Sequence, residues 1–271
     1  MSRRPKRQGR WGDLPKRLIS AVIMLAVAAF ELWFGGPFFA LLVVVLTGLM
    51  IWELARMTDA RRPAVWVGLG IFAAAVMFGV LAVPVPLGPL PLLLPPVLGF
   101  ALMGQNRRVF LFYGLAIVAA GHTLVGLREQ GGSPVILWLI AVVVASDVMG
   151  YFVGRRFGGP KFWPRISPNK TWSGTVAGWF GAGFAGALFV LDGRAGWGLV
   201  ALSPLIALAG QMGDIAESWV KRRAGVKDAS TLIPGHGGVL DRFDALIGAA
   251  LAVLVLSLLL PLPLPLPRPG G

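Results

Sequence analysis

The sequence predicts an all-α, polytopic integral membrane protein with about nine transmembrane helices and a cytoplasmic N-terminus. Of its 271 residues, 56% are hydrophobic and only 14% are charged, whereas an ordinary soluble domain carries about 25% charged residues. The apolar residues are gathered in runs long enough to cross a bilayer. The formal net charge is +13, and the basic residues lie between the runs, as expected for the cytoplasmic loops of a membrane protein.

Nine apolar segments carry the predicted helices. A hydrocarbon core of about 30 Å requires roughly 17–25 mainly apolar residues per helix. The fourth segment is the weakest, because prolines crowd it and proline disrupts helix interiors. Little chain remains for a separate soluble domain, so any chemistry must use loops and helix ends. The segments are 17–34, 38–55, 63–83, 90–103, 109–127, 134–154, 171–191, 199–213 and 244–260.

The basic residues determine both the number of spans and their orientation. With nine spans and the N-terminus inside, the inner segments hold 22 of the 25 Lys and Arg residues, and only Arg128, Arg194 and Arg268 lie outside. If 90–103 did not cross the membrane, the Lys and Arg residues would be divided almost evenly between its two sides. Because cytoplasmic loops collect Lys and Arg, nine spans are favoured.

Four regions follow from this arrangement. Residues 1–16 form a basic cytoplasmic segment, and 17–133 form the N-terminal transmembrane helices. Residues 134–260 form a second transmembrane region with polar cytoplasmic loops, and 261–271 form a proline-rich, extended tail. The first apolar run also has features of a signal peptide. Its cleavage-like triplet lies inside the run, which favours an uncleaved helix.

The composition excludes several kinds of site. The sequence has no cysteine and only two histidines. Disulfides, thiolate catalysis, cysteine–zinc sites and three-histidine metal sites are therefore excluded. A metal ion in this protein must be held mainly by oxygen ligands, which is typical of Mg²⁺ and similar hard ions.

Acidic residues are concentrated near the last two spans. Asp214 and Glu217 continue the eighth apolar run at helical spacing, and Lys221 follows on the same face. Asp241 and Asp244 lie three apart at the start of the last span, where a helix N-terminus favours carboxylates. A solvated, self-neutralising loop is the alternative interpretation. Two carboxylate pairs at helix ends facing one interface favour a cation site instead.

Two further polar segments lie on the same predicted side. The turn from Pro234 to Gly238 contains three glycines, and backbone N–H groups in such a turn can cradle phosphate. The segment Ser167–Thr171 contains Lys170. Asp147 lies inside an apolar run, where a charge costs about 2.5–3.5 kcal/mol, so we expect it to face a polar cavity or to be paired.

The stretch 218–244 resembles the signature of phosphatidate cytidylyltransferases, also called CDP-diacylglycerol synthases. The similarity rests on SWVKR at 218–222, KDAS at 227–230, IPGHGGVLDRFD at 233–244, and the shorter matches SD at 146–147, SPNKTW at 167–172 and GDIAES at 213–218. It covers roughly residues 145–245. Ser173 departs from the pattern, because the family usually carries glutamate there.

The resemblance implies Mg²⁺-dependent transfer of a cytidylyl group from CTP to phosphatidic acid, giving CDP-diacylglycerol and pyrophosphate. Asp214 and Asp241 would be metal ligands, with Asp244 in reserve and a second cation left open. Lys221, Arg222 and Lys227 would be catalytic and would hold the CTP phosphates or the lipid headgroup. The remaining substrate-binding residues would be Ser167, Lys170, His236, Gly237 and Gly238. The glycine turn would bind phosphate.

The resemblance and the basic N-terminus also lead to expectations about partners and cellular location. We expect CTP and membrane phosphatidic acid as partners and no nucleic acid, while a homodimer stays among the alternatives. The basic N-terminus without a recognisable organelle signal favours a multi-pass protein of the bacterial inner membrane, with its active site facing the cytoplasm. The competing functions are a transporter of an anionic substrate and another CDP-lipid enzyme. The aspartate pattern of CDP-alcohol phosphatidyltransferases is not found in the sequence.

Overall fold

The protein is almost entirely helical. Its structure, a computed structural model, describes residues 14–83, 86 and 88–265. Among these residues the one sheet is an antiparallel hairpin between two short strands, which is followed directly by a helix. In chain order the elements are α1 Leu14–Phe34, α2 Pro37–Thr58, α3 Pro63–Ala82, α4 Leu94–Leu102, α5 Arg107–Phe157, β1 Lys161–Trp163, β2 Ser167–Thr171, α6 Trp172–Leu191, α7 Gly198–Ala224 and α8 Leu240–Leu259.

In the part of the chain that the structure describes, six helices are long and apolar enough to cross a membrane, namely α2, α3, α5, α6, α7 and α8. Two shorter apolar helices, Leu18–Glu31 and Leu90–Leu102, accompany them. The chain is therefore a nearly all-α membrane protein. The total of nine spans and the cytoplasmic N-terminus stay predictions. Residues 1–13 of the predicted basic segment and 266–271 of the predicted tail lie outside the described residues.

Helix α5 contains two of the predicted spans. It has 51 residues, and a straight helix of that length would measure about 77 Å, far more than a hydrocarbon core of about 30 Å. The backbone of Gly132 is not helical, with φ 66° and ψ −160°, and Pro134 follows it. A residue with a side chain rarely adopts such a φ. The predicted spans 109–127 and 134–154 thus lie on either side of a break at Gly132.

The structure corrects one feature of the sequence prediction. Residues 161–171 form a hairpin that the all-α prediction missed, since its strands are too short to produce a recognisable alternating pattern. The hairpin leads directly into α6, whose first turn is capped by the Thr171 hydroxyl accepting from the N–H of Gly174. Helix α7 continues to Ala224 and α8 begins at Leu240, so both helices extend past their apolar runs, as the helical spacing of the acidic residues predicts.

Glycines bring the helices of the second half close together. A methyl group at Gly178 of α6 would lie 2.7 Å from the side chains of Gln211 and Ser146. A methyl group at Gly213 of α7 would overlap the carbonyl oxygen of Asp244 on α8, and it would lie 3.0 Å from the backbone nitrogen of Gly248. Small residues permit such close helix packing within a membrane. The approach of α7 to α8 positions the candidate site.

Candidate active site

Three carboxylates meet where α7 and α8 approach most closely. Asp214 and Glu217 lie one turn apart on α7, and Asp244 lies in the first turns of α8. One oxygen from each of the three lies within 4.8 Å of the others. The close packing at Gly213 makes this possible, because a larger side chain there would separate the two helices. We call Asp214, Glu217 and Asp244 the carboxylate group.

Glu217 shows that this group fits a cation. Its side chain is completely buried (0% exposed), and its Oε1 atom has no hydrogen-bond partner among the described residues. An ionised carboxylate that is buried without full pairing costs several kcal/mol. A hard cation coordinated by the carboxylate group would offset that cost and the repulsion between neighbouring carboxylates. Oxygen ligands alone are typical of Mg²⁺.

Two lysines flank the carboxylate group. Lys170, on β2, lies 2.5 Å from Asp214 Oδ2, and its Nζ also donates to the carbonyl oxygen of Gln211 at 3.3 Å. Lys221, on α7, lies 2.5 Å from Glu217 Oε2 and 2.7 Å from Asp241 Oδ1. The predicted common face of Lys221 with Asp214 and Glu217 is thus present in the structure, whereas the contact of Lys170 with Asp214 was not predicted.

Asp241 lies beside the carboxylate group, and both of its carboxylate oxygens already accept hydrogen bonds from the protein. Its Oδ2 accepts hydrogen bonds from the N–H groups of Ala229 (2.9 Å) and Gly238 (2.7 Å), and its Oδ1 accepts from Lys221 (2.7 Å). These contacts hold the loop between α7 and α8 against both helices. The assignment of Asp241 as a metal ligand stays a prediction. Asp214 and Asp244, by contrast, both belong to the carboxylate group.

Glu53 is a site residue that the sequence analysis missed. It belongs to α2 and is completely buried (0% exposed). Its carboxylate accepts hydrogen bonds from the Ser230 hydroxyl (2.5 Å) and from the N–H groups of Val239 (2.9 Å) and Leu240 (2.7 Å). It therefore caps α8 from a distant helix. An acidic residue within an apolar run was the signal that could have identified it.

The glycine turn is built around these carboxylates. Gly237 has φ +85°, and a methyl group there would lie 2.7 Å from Asp241 Oδ2. A methyl group at Gly238 would lie 2.5 Å from Glu53 Oε1. The N–H of Gly238 already donates to Asp241, so it is not available to a phosphate in this arrangement. His236 places Nδ1 2.7 Å from the Ser20 hydroxyl of α1. Phosphate binding by this turn stays a prediction.

A polar pocket opens on the other side of Asp214. Its volume is about 640 Å³, and it is lined by α5, the hairpin, α6 and α7. The pocket contains Asp147, which therefore faces a polar cavity as predicted, together with Lys161, Lys170 and Asn169. Ser167 does not line it. The size lies within the range of about 300–1,000 Å³ that is typical of small-molecule sites.

The other two basic side chains predicted for the site are exposed. Arg222 and Lys227 lie at the end of α7 and in the loop that follows it. The structure gives neither side chain a hydrogen bond or ion pair with a described residue. The structure thus places Lys170 and Lys221 beside the carboxylate group, whereas Arg222 and Lys227 lie at the surface.

The fold and site define a class of protein. A polytopic membrane protein that places a carboxylate group and two lysines beside a polar pocket, at one end of its helices, is suited to binding a cation and a phosphorylated ligand. More particularly, the chain belongs to the cytidylyltransferase family, whose defining pattern matches residues 15–260.

Proteins named phosphatidate cytidylyltransferase are similar to this chain. The protein from Brucella abortus biovar 1 (strain 9-941) is 36% identical over 249 residues, which cover 88% of this chain and 91% of the relative. The protein from Helicobacter pylori (strain 26695) is 41% identical over 146 residues, covering 53% of each chain. The protein from Staphylococcus aureus (strain COL) is 34% identical over 159 residues, covering 56% of this chain and 61% of the relative.

Proposed function

We propose that this protein transfers a cytidylyl group from CTP to phosphatidic acid, forming CDP-diacylglycerol and releasing pyrophosphate. Membership of the cytidylyltransferase family and the similarity to named phosphatidate cytidylyltransferases support this function. The single structural observation that carries the proposal is the carboxylate group, with Lys170 and Lys221 beside it, at the edge of a polar pocket.

The reaction is a displacement at phosphorus. A phosphate oxygen of phosphatidic acid forms a bond to the α-phosphorus of CTP, while the bond from that phosphorus to the bridging oxygen of pyrophosphate breaks. A phosphate monoester has a second pKa near 6, so the attacking oxygen is largely ionised at neutral pH. A strong general base is not required, which suits a site without a free histidine. Charge stabilisation and positioning must carry the catalysis.

The cation site is proposed at the carboxylate group. Asp214 and Asp244 would supply ligands, with Glu217 as the buried third carboxylate, and Asp241 would orient Lys221 and the loop. The predicted role of Asp241 as a direct ligand is kept as the alternative. Bound there, Mg²⁺ would supply charge neutralisation for the phosphates; a second cation is left open.

The substrates are proposed to enter from two sides. The polar pocket that contains Lys170 and Asn169 would receive CTP. Lys170 would then contact the CTP phosphates in place of Asp214. The acyl chains of phosphatidic acid would remain in the membrane. Arg222 and Lys227 are exposed near the end of α7, where they would attract both anions electrostatically. Ser167, His236, Gly237 and Gly238 would shape the surrounding loops.

Loop contacts support the predicted orientation and nine crossings. On one side, Asp59 Oδ2 accepts from the N–H of Gly104 (2.8 Å), and Arg223 Nε donates to Asn106 Oδ1 (2.9 Å). On the other side, Arg128 lies against Gly35 at the end of α1. The first side carries the basic loops and the carboxylate group. We therefore propose an inner membrane protein with a cytoplasmic N-terminus and a cytoplasmic active site.

An assay of the purified protein tests the function directly. The protein in neutral detergent is incubated with α-phosphate-labelled CTP, phosphatidic acid and Mg²⁺, and label is extracted into organic solvent. We expect lipid-soluble label and released pyrophosphate with the wild type, and loss of both with Asp214→Asn. Asp192→Asn, at the opposite end of α6, is the matched control and should retain activity. Absence of lipid-soluble label in the wild type would overturn the proposal, and uptake of an anion into vesicles would then favour a transporter.

A further inference from the structure

An apolar cavity lies between α1, α2, α5 and α8. Its volume is about 460 Å³, which is within the range of about 300–1,000 Å³ found for ligand sites. The lining is mostly aliphatic and includes Met24 of α1, Val43 of α2 and Ile117 of α5. Its polar members are Thr47, Arg242 and Glu31, and Glu31 lies near the end of α1 away from the glycine turn. None of the three residues of the carboxylate group lines it. The cavity is therefore a separate site from the one described above.

Helix α8 separates this cavity from the carboxylate group. Arg242, Phe243 and Leu246 of α8 line the cavity. Asp244 faces α7, since one of its carboxylate oxygens lies within 4.8 Å of carboxylate oxygens of Asp214 and Glu217 on that helix. At 3.6 residues per turn, positions 242 and 244 point about 200° apart around the helix. Ile247 also lines the cavity, so the lining positions of α8 cover an arc of about 140°, and Asp244 lies about 60° beyond the edge of that arc. A ligand in the cavity thus contacts a different face of α8 from the one that carries Asp244.

The cavity has a cationic group where α8 begins. Arg242 is exposed, and its Nε and Nη2 atoms donate to the carbonyl oxygen of His236 at 2.9 and 2.6 Å. A guanidinium has five N–H donors in a fork that matches phosphate geometry, so donors remain for a ligand. An aliphatic cavity with an arginine at one end is complementary to an acyl chain attached to an anionic phosphate group.

We propose that this cavity binds one acyl chain of an anionic membrane phospholipid that is not the nucleotide acceptor, with the lipid phosphate at Arg242. The acceptor itself must present its phosphate on the α7 side of α8, where Asp214 and Asp244 lie, and a lipid seated at Arg242 faces the other way. The bound lipid is a second ligand beside the substrates.

The site also provides a way for the lipid to affect activity, and this part rests on the proposed function. Helix α1 is joined to the glycine turn by the Ser20 hydroxyl, which lies 2.7 Å from His236 Nδ1 and donates to the carbonyl oxygen of Pro234 at 3.0 Å. Arg242 bonds the same turn from α8. A lipid that fills the space between α1 and α8 would hold this turn in place, so anionic lipid should increase the rate of cytidylyl transfer.

Two neighbouring valines give a matched test of binding. Val43 is 5% exposed and lines the cavity, whereas Val44 is 7% exposed and lines a different cavity between α2, α3 and α5. Phosphatidylglycerol bound to the detergent-solubilised protein is counted by native mass spectrometry, with phosphatidylcholine as the uncharged comparison. We expect Val43→Phe to lose the bound phosphatidylglycerol and Val44→Phe to keep it. Arg242→Gln should weaken binding roughly tenfold, since a hydrogen bond to a charged group contributes about that much.

A second pair of variants tests the same site in case Val43→Phe does not fold. Met24 of α1 lines the cavity, and Leu25 beside it is 70% exposed, so Met24→Trp should lose the lipid and Leu25→Trp should keep it. Equal phosphatidylglycerol binding by both members of a pair, or no binding by the wild type, would overturn the proposal.

An activity measurement distinguishes the second lipid from the acceptor. With soluble short-chain phosphatidic acid as the acceptor, phosphatidylglycerol should raise the rate for the wild type and Val44→Phe, but not for Val43→Phe. If phosphatidylglycerol instead competes with long-chain phosphatidic acid, and Val43→Phe loses only long-chain turnover, the cavity holds the acceptor and the proposal is wrong. If no CDP-lipid forms under any condition while phosphatidylglycerol still binds, the proposed function fails and the lipid site stands.

Discussion

The substitution Glu53→Gln tests the connection between α2 and the start of α8. The carboxylate of Glu53 is completely buried and accepts three hydrogen bonds, from the Ser230 hydroxyl and the N–H groups of Val239 and Leu240. Glutamine has nearly the same shape but only one acceptor oxygen, and its amide nitrogen would face at least one of these donors. The change therefore isolates hydrogen bonding from packing.

The expected magnitude follows from those contacts. One hydrogen bond to a charged group contributes about 1.5–3 kcal/mol, and the buried donor left without a partner costs about 1–3 kcal/mol more. We therefore expect the free energy of unfolding to fall by about 3–5 kcal/mol, which is the range for breaking a buried charged network. Asp244 lies one turn beyond Leu240, so displacement of the helix start should also lower kcat.

Denaturant unfolding in mixed micelles measures the stability, and the labelled-CTP assay measures the activity. Glu129→Gln is the matched control, because Glu129 is exposed near the break in α5 and should change neither quantity. A loss of less than about 1 kcal/mol with unchanged kcat would refute the proposed role of Glu53, since even one neutral hydrogen bond contributes about that much.

Three further substitutions address the loop and the lysines. Asp241→Asn should lower kcat about 10–100-fold in the labelled-CTP assay, because it removes the charge that holds Lys221 and hydrogen bonds worth about 1.5–3 kcal/mol; normal turnover would refute this. Gly237→Ala should lower both thermal stability and activity, since position 237 has φ +85° and a methyl group there would lie 2.7 Å from Asp241; an unchanged melting temperature would contradict the close approach. Lys170→Met should raise the KM for CTP more than Lys161→Met does, because Lys170 alone of the two pairs with Asp214; equal KM values would argue against it.

Hydropathy and charge located most of the fold. Each predicted apolar segment contains helical residues, including the two within α5, because a backbone inside a bilayer must satisfy its hydrogen bonds internally. Among the described residues, six helices are long enough to cross a membrane. The hairpin at 161–171 was missed, since three- and five-residue strands leave no periodic pattern. The helical spacing of Asp214, Glu217 and Lys221 correctly indicated one face of α7, which extends to Ala224.

The candidate site was located only in part. The sequence placed Asp214, Asp241 and Asp244 near one another, but it could not determine which carboxylates converge, because that depends on the contact between Gly213 and Gly248. Glu217 was noted for its spacing and joins Asp214 and Asp244 in the structure. Glu53 precedes its partners by more than 170 residues, and no local pattern connects them. Such long-range hydrogen bonds become visible only in the folded protein.

Direct location of the cation tests the central claim most sharply. Crystals of the protein grown with Mn²⁺ in place of Mg²⁺ would show the ion in an anomalous difference map. We predict a peak within about 2.5 Å of carboxylate oxygens of both Asp214 and Asp244, and loss of that peak in Asp244→Asn. A peak bound by Asp241 without Asp214 and Asp244, or the same peak retained in Asp244→Asn, would contradict the assignment of the carboxylate group as the cation site.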